Sequence, residues 1–270
     1  MNAERSLREM MSLDGRVALV TGGAGHIGRA VAGGLAELGA SIAIADIAAP
    51  GGEAAAAGLA AKFPVKAASF ACDFEQGDAV KELPRRVREK FGRIDILINC
   101  AAFVGTSGLE GWAVPFERQS PETWRRALEV NLTAPFVLVQ AAAEDLAASG
   151  RGSVINISSI YGLAGPDWRL YEGTSLGNPA AYAASKGGLI QMTRWLATTM
   201  APKVRVNAIA PGGVFRDTPE PFLTRYISRT PLARMATEED FKGAVAYLAS
   251  DLSAYVTGQC LAVDGGWTAW

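Results

Sequence analysis

Short apolar runs alternate with longer amphipathic segments along nearly the whole chain. The apolar runs, rich in Val, Ile and Ala, predict buried strands at residues 16–20, 41–45, 65–71, 94–99, 153–157, 204–210 and 260–263. The segments between them predict helices ending near residue 38 and then over 51–62, 77–91, 120–148, 179–200 and 237–250, with a break expected at Pro84. This alternation predicts an α/β fold: a doubly wound parallel sheet of about seven strands, Rossmann-type, with helices on both faces.

A single domain is expected to hold all 270 residues, because a chain with 49% hydrophobic and 20% charged residues can bury a full core. Residues 1–14 are expected to form an N-terminal extension. Segment 214–235 is rich in Pro, Thr and charged residues, which indicates a mobile or substrate-covering insertion. The sequence of segment 103–119 does not indicate what that segment does.

Charge and cysteine usage narrow the classes of partner. The net charge is −1 and no basic run occurs, which argues against nucleic acid or a membrane surface and favours a small-molecule partner. No segment resembles a span of about 20 apolar residues, so we expect a cytoplasmic protein. Cys72, Cys100 and Cys260 are widely spaced and odd in number, which predicts free thiols and no metal site.

The first predicted strand runs into a glycine-rich turn that opens a helix. Gly23, Gly25 and Gly28 fit G-x-G-x-x-G, in which missing side chains let a dinucleotide pyrophosphate approach the helix N-terminus. Asp46 ends the second predicted strand about 20 residues later, where that pattern places an acid. Its carboxylate can accept hydrogen bonds from both adenosine-ribose hydroxyls and would repel a 2′-phosphate, and residues 47–49 carry no cation. NAD is therefore favoured over NADP.

Polar and turn residues follow several predicted strands, at the edge where parallel sheets bind ligands. These residues are Asp73, Asn99, Ser158, Ser159, Pro211 and Gly212. Asn131 lies among apolar residues of a predicted helix and would need hydrogen-bond partners if buried. His26, the only histidine, lies in the glycine turn, which favours a packing or phosphate-side role over catalysis.

Tyr182 and Lys186 form the strongest candidate for catalysis. Asn178 as N-cap and Pro179 at the first helical position place them four apart on one helical face. A unit charge about 4 Å away is worth roughly 4 kcal/mol at an effective dielectric of 20, enough to let a phenol work as an acid or base near neutral pH. The alternative is an ordinary amphipathic helix with a buried Tyr and a solvated Lys.

Together these motifs resemble the short-chain dehydrogenase/reductase family over residues 17–266, in its shorter-chain, NAD-preferring branch. The similar segments stand in the family's order: the glycine turn, Asp46, Cys72-Asp73, Asn99-Cys100-Ala101, Asn131-Leu132, Ser159, Tyr182 with Lys186, Pro211-Gly212, 256–259 and 263–266. The resemblance implies a catalytic tetrad of Asn131, Ser159, Tyr182 and Lys186, with Ser158 as the alternative serine.

The resemblance also implies hydride transfer between a nicotinamide and a carbon that bears a hydroxyl or carbonyl, on a small polar substrate, sugar-like compounds among them. Tyr182 would exchange the proton and Ser159 would hydrogen-bond the substrate oxygen. Lys186 would hold the nicotinamide ribose and lower the pKa of Tyr182, and Asn131 would anchor a water that links Lys186 to solvent. The implied cofactor contacts are Gly22, Gly23, Gly25, His26, Ile27, Gly28, Asp46, Cys72, Asp73, Asn99, Ala101, Tyr182, Lys186, Pro211, Gly212 and Val214.

The chain departs from the family's pattern where substrate would bind. The interval from Ser159 to Tyr182 is about ten residues longer than in the shorter reductases, and its extra segment, 163–178, is expected to be a second substrate-side insertion. The expected substrate contacts are Ser159, Trp168, Arg169 and Tyr182.

Two other functions compete with an alcohol dehydrogenase or ketone reductase. The glycine spacing, Gly22, Gly25 and Gly28, and the long Ser159-to-Tyr182 interval also fit a sugar-nucleotide epimerase or dehydratase, but those enzymes usually add a substrate domain. A non-catalytic NAD sensor is a third possibility, although such relatives commonly lose the Tyr or Lys. The family further implies a homo-oligomer, a tetramer packed partly through the helices that carry Asn131 and Tyr182.

Overall fold

The computed structural model describes residues 4–270 and contains the expected fold. Seven strands form one all-parallel sheet in the order β3-β2-β1-β4-β5-β6-β7. The strands are β1 (Val17–Thr21), β2 (Ser41–Asp46), β3 (Ala67–Ala71), β4 (Ile96–Asn99), β5 (Gly152–Ile157), β6 (Val204–Pro211) and β7 (Cys260–Val263). The strand order reverses at β1, so the carboxyl ends of β1 and β4 flank the crevice in which such sheets bind ligands.

Helices cover both faces of the sheet within residues 4–270. They are α1 (Leu7–Met11), α2 (His26–Glu37), α3 (Ala49–Lys62), α4 (Gly77–Phe91), α5 (Pro121–Leu128), α6 (Ala134–Ala141), α7 (Ala143–Ala148), α8 (Ala180–Met200), α9 (Glu220–Ser228) and α10 (Lys242–Ala249).

The core divides into two layers because successive strand residues point to opposite faces of the sheet. In β1, Val17 and Leu19 pack with α4, α6 and α8 on one face. Ala18 and Val20 pack with α2, α3 and α10 on the other. Both layers are largely apolar, which explains why the strands read as nearly continuous hydrophobic runs.

Two helical predictions differ from the structure. Pro84 does not break α4: its ring is buried beside Leu83 and Val87, and the helix continues to Phe91. The segment predicted as one helix over 120–148 is divided into α5, α6 and α7, with a π-helical turn at Glu129–Thr133 between the first two. The π turn carries Asn131 and is the kind of local distortion often found at functional sites.

The N-terminal extension is attached to the body of the protein. Residues 1–3 of the predicted extension lie outside the described residues. Leu13 is fully buried, and Arg5 forms an ion pair of 2.9 Å with Asp251. Asp251 also pairs with buried Arg16 at the start of the sheet, so this carboxylate ties the extension to the core.

Candidate active site

The glycine turn between β1 and α2 has no room for side chains at two positions. Gly22 has φ +63°, and a Cβ there would lie 2.9 Å from the backbone of Ala101. A Cβ on Gly28 would overlap the carbonyl oxygen of Gly22, so the first turn of α2 packs directly on the loop. The backbone alone forms this cradle, as a pyrophosphate site requires.

Asp46 closes the same cradle from the end of β2. Its carboxylate accepts hydrogen bonds from the Ala24 N–H (3.1 Å) and the Ala48 N–H (3.3 Å). These bonds fix the carboxylate beside the glycine turn, in the place expected for contact with an adenosine ribose.

His26, the first residue of α2, has a side chain that is 69% exposed, with Nδ1 3.7 Å from the Glu238 carboxylate. Arg216 donates to the same carboxylate at 3.0 Å. Glu238 thus joins the glycine turn to the loop after β6. Ile27 is half-buried and packs against the apolar layer beneath the turn.

Thr21 belongs to this region but was not singled out from the sequence. Its Oγ1 accepts hydrogen bonds from the N–H groups of Cys100 (3.0 Å) and Ala101 (3.1 Å). The hydroxyl therefore holds the chain after β4 against the glycine turn. A Thr immediately before a glycine turn was the available signal.

Three residues that the sequence analysis selected for their position at strand ends have side chains that are buried or make hydrogen bonds within the protein. Cys72 is 3% exposed within the apolar core, where burial raises the pKa of its thiol to about 11. Asn99 donates a 2.8 Å hydrogen bond to Asn156 of β5. Asp73 accepts from the Glu75 N–H at 2.9 Å and forms a local turn. The assignment of Cys72, Asp73 and Asn99 as cofactor contacts stays a prediction.

Tyr182, Ser159 and Lys186 meet where β5 and α8 approach each other. Ser159 lies close enough to Tyr182 to lower the pKa of its phenol. The Lys186 Nζ lies 5.8 Å from the centre of the Tyr182 ring and donates to the Ile157 carbonyl at 2.7 Å. Ser158, the alternative serine, donates its hydroxyl to the Lys186 carbonyl at 2.9 Å and is committed to packing.

Burial sets the charge state of this group more strongly than charge pairing does. The pKa of the Tyr182 phenol is raised because burial disfavours phenolate, with Ser159 acting in the opposite direction. Burial also lowers the pKa of the Lys186 ammonium to about 8. The pKa of Tyr182 is therefore raised rather than lowered, and the effect of Lys186 on it stays a prediction. Tyr182 is held as a neutral phenol, a proton donor.

Asn131 is fully engaged by neighbouring groups. Its amide accepts from the Phe103 N–H (2.8 Å) and donates to the Phe103 carbonyl (3.0 Å) and to Ser185 Oγ (3.1 Å). The π turn places this side chain between the chain after β4 and α8. Within the described residues it braces the helix of Tyr182, rather than contacting Lys186 directly.

The loop after β6 is locked by a tyrosine from α9. Gly212 donates its N–H to the Val263 carbonyl at 3.0 Å, and Gly213 donates to the Tyr226 hydroxyl at 2.5 Å. Val214 forms a single bridge with Ala236. Segment 214–235 is thus anchored at both ends, and α9 lies within it.

The predicted substrate residues Trp168 and Arg169 lie at the surface. The Trp168 side chain is 57% exposed, and that of Arg169 is 76% exposed and pairs with Asp167 at 2.8 Å. Tyr171, from the same insertion, is instead close enough to Tyr182 to raise the pKa of that phenol. Asn178 is not the helix cap that the sequence suggested, since α8 begins at Ala180 with Pro179 as its cap.

The two segments predicted to lie on the substrate side, 163–178 and 214–235, meet in an aromatic cluster. This cluster comprises the buried residues Ile160, Leu170, Phe222, Tyr226, Met235 and Trp267. Phe222 and Tyr226 belong to α9, and their rings stack with centroids 5.8 Å apart. Arg225 donates to the Leu170 carbonyl at 3.4 Å, so α9 and the 163–178 insertion are joined by polar contacts as well.

Over residues 4–270, no helix has both the length and the apolar character needed to cross a membrane. In the same part of the chain, His, Cys, Asp and Glu side chains form no group of three or more that could hold a metal ion.

Comparison with known proteins identifies relatives over nearly the full length. A family model described as enoyl-(acyl carrier protein) reductase matches residues 22–268. A cis-4-hydroxycyclohexanecarboxylate dehydrogenase from Sinomonas cyclohexanicum is 35% identical over 261 residues, covering 94% of this chain and 97% of that protein.

Solved structures give the same result. A NADPH-dependent 3-quinuclidinone reductase from Rhodotorula rubra has a TM-score of 0.87 at 30% identity, covering 100% of this chain and 97% of that one. An NAD+-bound xylitol dehydrogenase has a TM-score of 0.83 at 31% identity, covering 94% of this chain and 99% of that one. With the glycine cradle and the Ser159–Tyr182–Lys186 group in place, these matches show that the chain belongs to the short-chain dehydrogenase/reductase family of oxidoreductases, which bind a nicotinamide cofactor.

Proposed function

We propose that this protein is an NAD(H)-dependent dehydrogenase that interconverts a secondary alcohol and a ketone on a small polar substrate. The observation that carries the proposal is the position of the Lys186 ammonium, 5.8 Å from the centre of the Tyr182 ring, with Ser159 beside the same phenol. The group lies at the sheet edge that also carries the glycine cradle.

The chain's own residues fit a dinucleotide. The cradle of Gly22 and Gly28, into which a Cβ would intrude, leaves backbone at the N-terminus of α2 for a pyrophosphate. Asp46 would hold the adenosine ribose, and Lys186 the nicotinamide ribose. When bound, the nicotinamide supplies or accepts the hydride.

Tyr182 would supply the proton in the reduction direction. As a neutral phenol it donates its proton to the developing alkoxide of the substrate. Ser159 would donate a hydrogen bond to the same oxygen, which stabilises the charge that develops there. The Lys186 ammonium stabilises the resulting phenolate. In oxidation the same groups act in reverse.

Asp46 supports NAD over NADP. A carboxylate fixed by the Ala24 and Ala48 amides can accept both ribose hydroxyls but repels a 2′-phosphate. The neighbouring Ile47 is 67% exposed and supplies no cation.

The substrate proposal rests on Tyr171 of the insertion, which lies near Tyr182, and a xylitol dehydrogenase among the structural relatives is in keeping with it. A homo-oligomer also remains our proposal, with exposed Trp195 on α8 as a candidate contact.

A panel of polyols, sugars, sugar acids and hydroxy acids, followed by NADH absorbance, tests this function. We expect turnover of at least one class, with a higher kcat/KM for NAD than for NADP. The absence of turnover with intact NAD binding would favour a sensor instead, and a preference for NADP would contradict the role of Asp46.

A further inference from the structure

Two tyrosines and an asparagine from different parts of the chain converge beside Tyr182. Tyr161 follows Ser159 by two residues, and its N–H donates to Ser159 Oγ at 3.1 Å. The hydroxyls of Tyr161 and Tyr171 lie 2.5 Å apart and share a hydrogen bond. Burial raises the pKa of both phenols, and Asn178 lies close enough to both to act in the opposite direction.

Asn178 carries an acceptor that nothing in the described chain satisfies. The residue is only 6% exposed, and its Oδ1 is buried without a hydrogen-bond partner. A buried carbonyl in this condition is destabilised until a donor reaches it. The oxygen is therefore the group left to receive a donor from a ligand.

Aromatic packing holds the two phenols in fixed positions. The Tyr161 ring meets Trp267 edge-on at 6.2 Å, and the Tyr171 ring meets Phe222 edge-on at 5.2 Å. Rings held in this way lose little freedom when a ligand binds, so the hydroxyl pair is preorganised.

The count of hydrogens defines what the three residues can bind. Two phenols carry two O–H groups, and the bond between Tyr161 and Tyr171 uses one, which leaves one donor beside the Asn178 Oδ1 acceptor. A hydroxyl can accept the first and donate to the second. A carboxylate can accept but not donate, and would leave Oδ1 unpaired next to a negative charge.

We propose that Tyr161, Tyr171 and Asn178 form a subsite for a second, neutral hydroxyl group of the substrate, beside the reacting carbinol. The inference rests on the proposed function, since it takes Tyr182 as the proton carrier. It assigns the substrate to diols and polyols rather than simple alcohols or 2-hydroxy acids. It also gives the 163–178 insertion a task, performed by Tyr171 rather than by Trp168 or Arg169.

The test compares butane-2,3-diol, butan-2-ol and lactate as substrates of the wild type and of Tyr161→Phe, Tyr171→Phe and Asn178→Ala. We expect kcat/KM for the diol to exceed that for butan-2-ol by ~10-fold, as one additional satisfied hydrogen-bonding group implies. Each variant should bring this ratio near one, mainly through KM of the diol, with kcat on butan-2-ol within about 3-fold of wild type. Tyr255→Phe, at a fully exposed tyrosine, is the matched control.

Calorimetric titration of each alcohol into the complex with NADH gives a readout without turnover. Diol binding that is lost in Tyr171→Phe supports the subsite even if neither alcohol is oxidised, in which case only the proposed reaction fails. Oxidation of both alcohols with no preference for the diol, or a preference that survives all three variants, overturns the subsite and leaves the reaction standing. Lactate as the preferred substrate, or neither binding nor turnover of the diol, also overturns it.

Discussion

The two walls of the candidate site are built in different ways. The wall that carries Tyr182 and Lys186 is made of strand ends and one long helix, joined by hydrogen bonds to backbone carbonyls such as that of Ile157. The opposite wall is the aromatic cluster, in which Tyr226 of α9 stacks on Trp267 and Tyr171 of the 163–178 insertion meets Phe222 edge-on. The geometry of the first wall is determined by the sheet, whereas that of the second depends on contacts between segments outside the sheet.

We infer from this difference that the first wall serves proton transfer and the second serves substrate recognition. Groups tied to strand ends keep their geometry as long as the sheet is intact, which suits proton transfer. Groups held by ring stacking between loops can be exchanged without disturbing the sheet, which suits substrate choice. Substitutions in the two walls should therefore affect different kinetic constants.

Tyr182→Phe should have the largest effect. The ring stays and only the proton carrier is removed, so kcat should fall by about 10²-fold or more while the cofactor Kd changes by less than about 2-fold. Stopped-flow kinetics and cofactor titration check both. Activity within a few-fold of wild type would remove Tyr182 from the mechanism, and Tyr255→Phe controls for the loss of a phenol hydroxyl.

Asp46→Ser combined with Ile47→Arg should reverse the cofactor preference. The change removes a repelling carboxylate and adds a guanidinium for the 2′-phosphate, so the ratio of kcat/KM for NADP to that for NAD should rise by about 10–100-fold. Asp46→Ser alone is the matched control and should show the smaller part of this rise. An unchanged ratio would place the discrimination elsewhere.

Phe222→Leu should change substrate binding without changing cofactor binding. It loosens the aromatic cluster, so KM for the alcohol should rise several-fold while the cofactor Kd stays the same. Phe241→Leu changes a fully buried ring of the main core and is the matched control. Each should lower the free energy of unfolding by about 1 kcal/mol. Equal effects of both on KM would show that the cluster has no special relation to substrate.

Arg169→Ala should have the smallest effect. The guanidinium is mostly exposed and engages Asp167, whose carboxyl pKa it lowers to about 2. KM should change by no more than about 2-fold, because an exposed ion pair contributes little. Arg229→Ala, at a half-buried arginine stacked on Trp267 at 5.5 Å, should lower Tm more. A rise in KM above about 5-fold for Arg169→Ala would put its guanidinium on the substrate.

The sequence predicted the sheet and the meeting of Tyr182 with Lys186 because both depend on periodicity and local spacing. It did not reveal the direction of side chains at strand ends, such as the burial of Cys72 in the apolar core and the hydrogen bond from Asn99 to Asn156. The π turn at Asn131 has no signal in the hydrophobic pattern, because a single added residue does not disturb that pattern visibly.

Contacts between segments that are distant in the sequence could not be predicted from the sequence either. Tyr171 and Asn178 approach Tyr161 only because α8 begins at Ala180 and the insertion packs into the aromatic cluster that contains Trp267. Trp168 and Arg169 attracted attention by residue type, whereas burial decided which side chains of the insertion lie near Tyr182.

Two hydrogen bonds join the end of β5 to α8 in both directions. Lys186 Nζ donates to the carbonyl of Ile157, and Ser158 donates its hydroxyl to the carbonyl of Lys186. Residues 159–185, between these anchor points, form a loop whose two ends are joined by both hydrogen bonds. Its middle part can therefore lengthen or shorten in evolution without changing the position of the ammonium relative to the strand. A protein engineer could exchange residues 163–177 as a cassette, altering what is recognised while keeping the reacting groups in register.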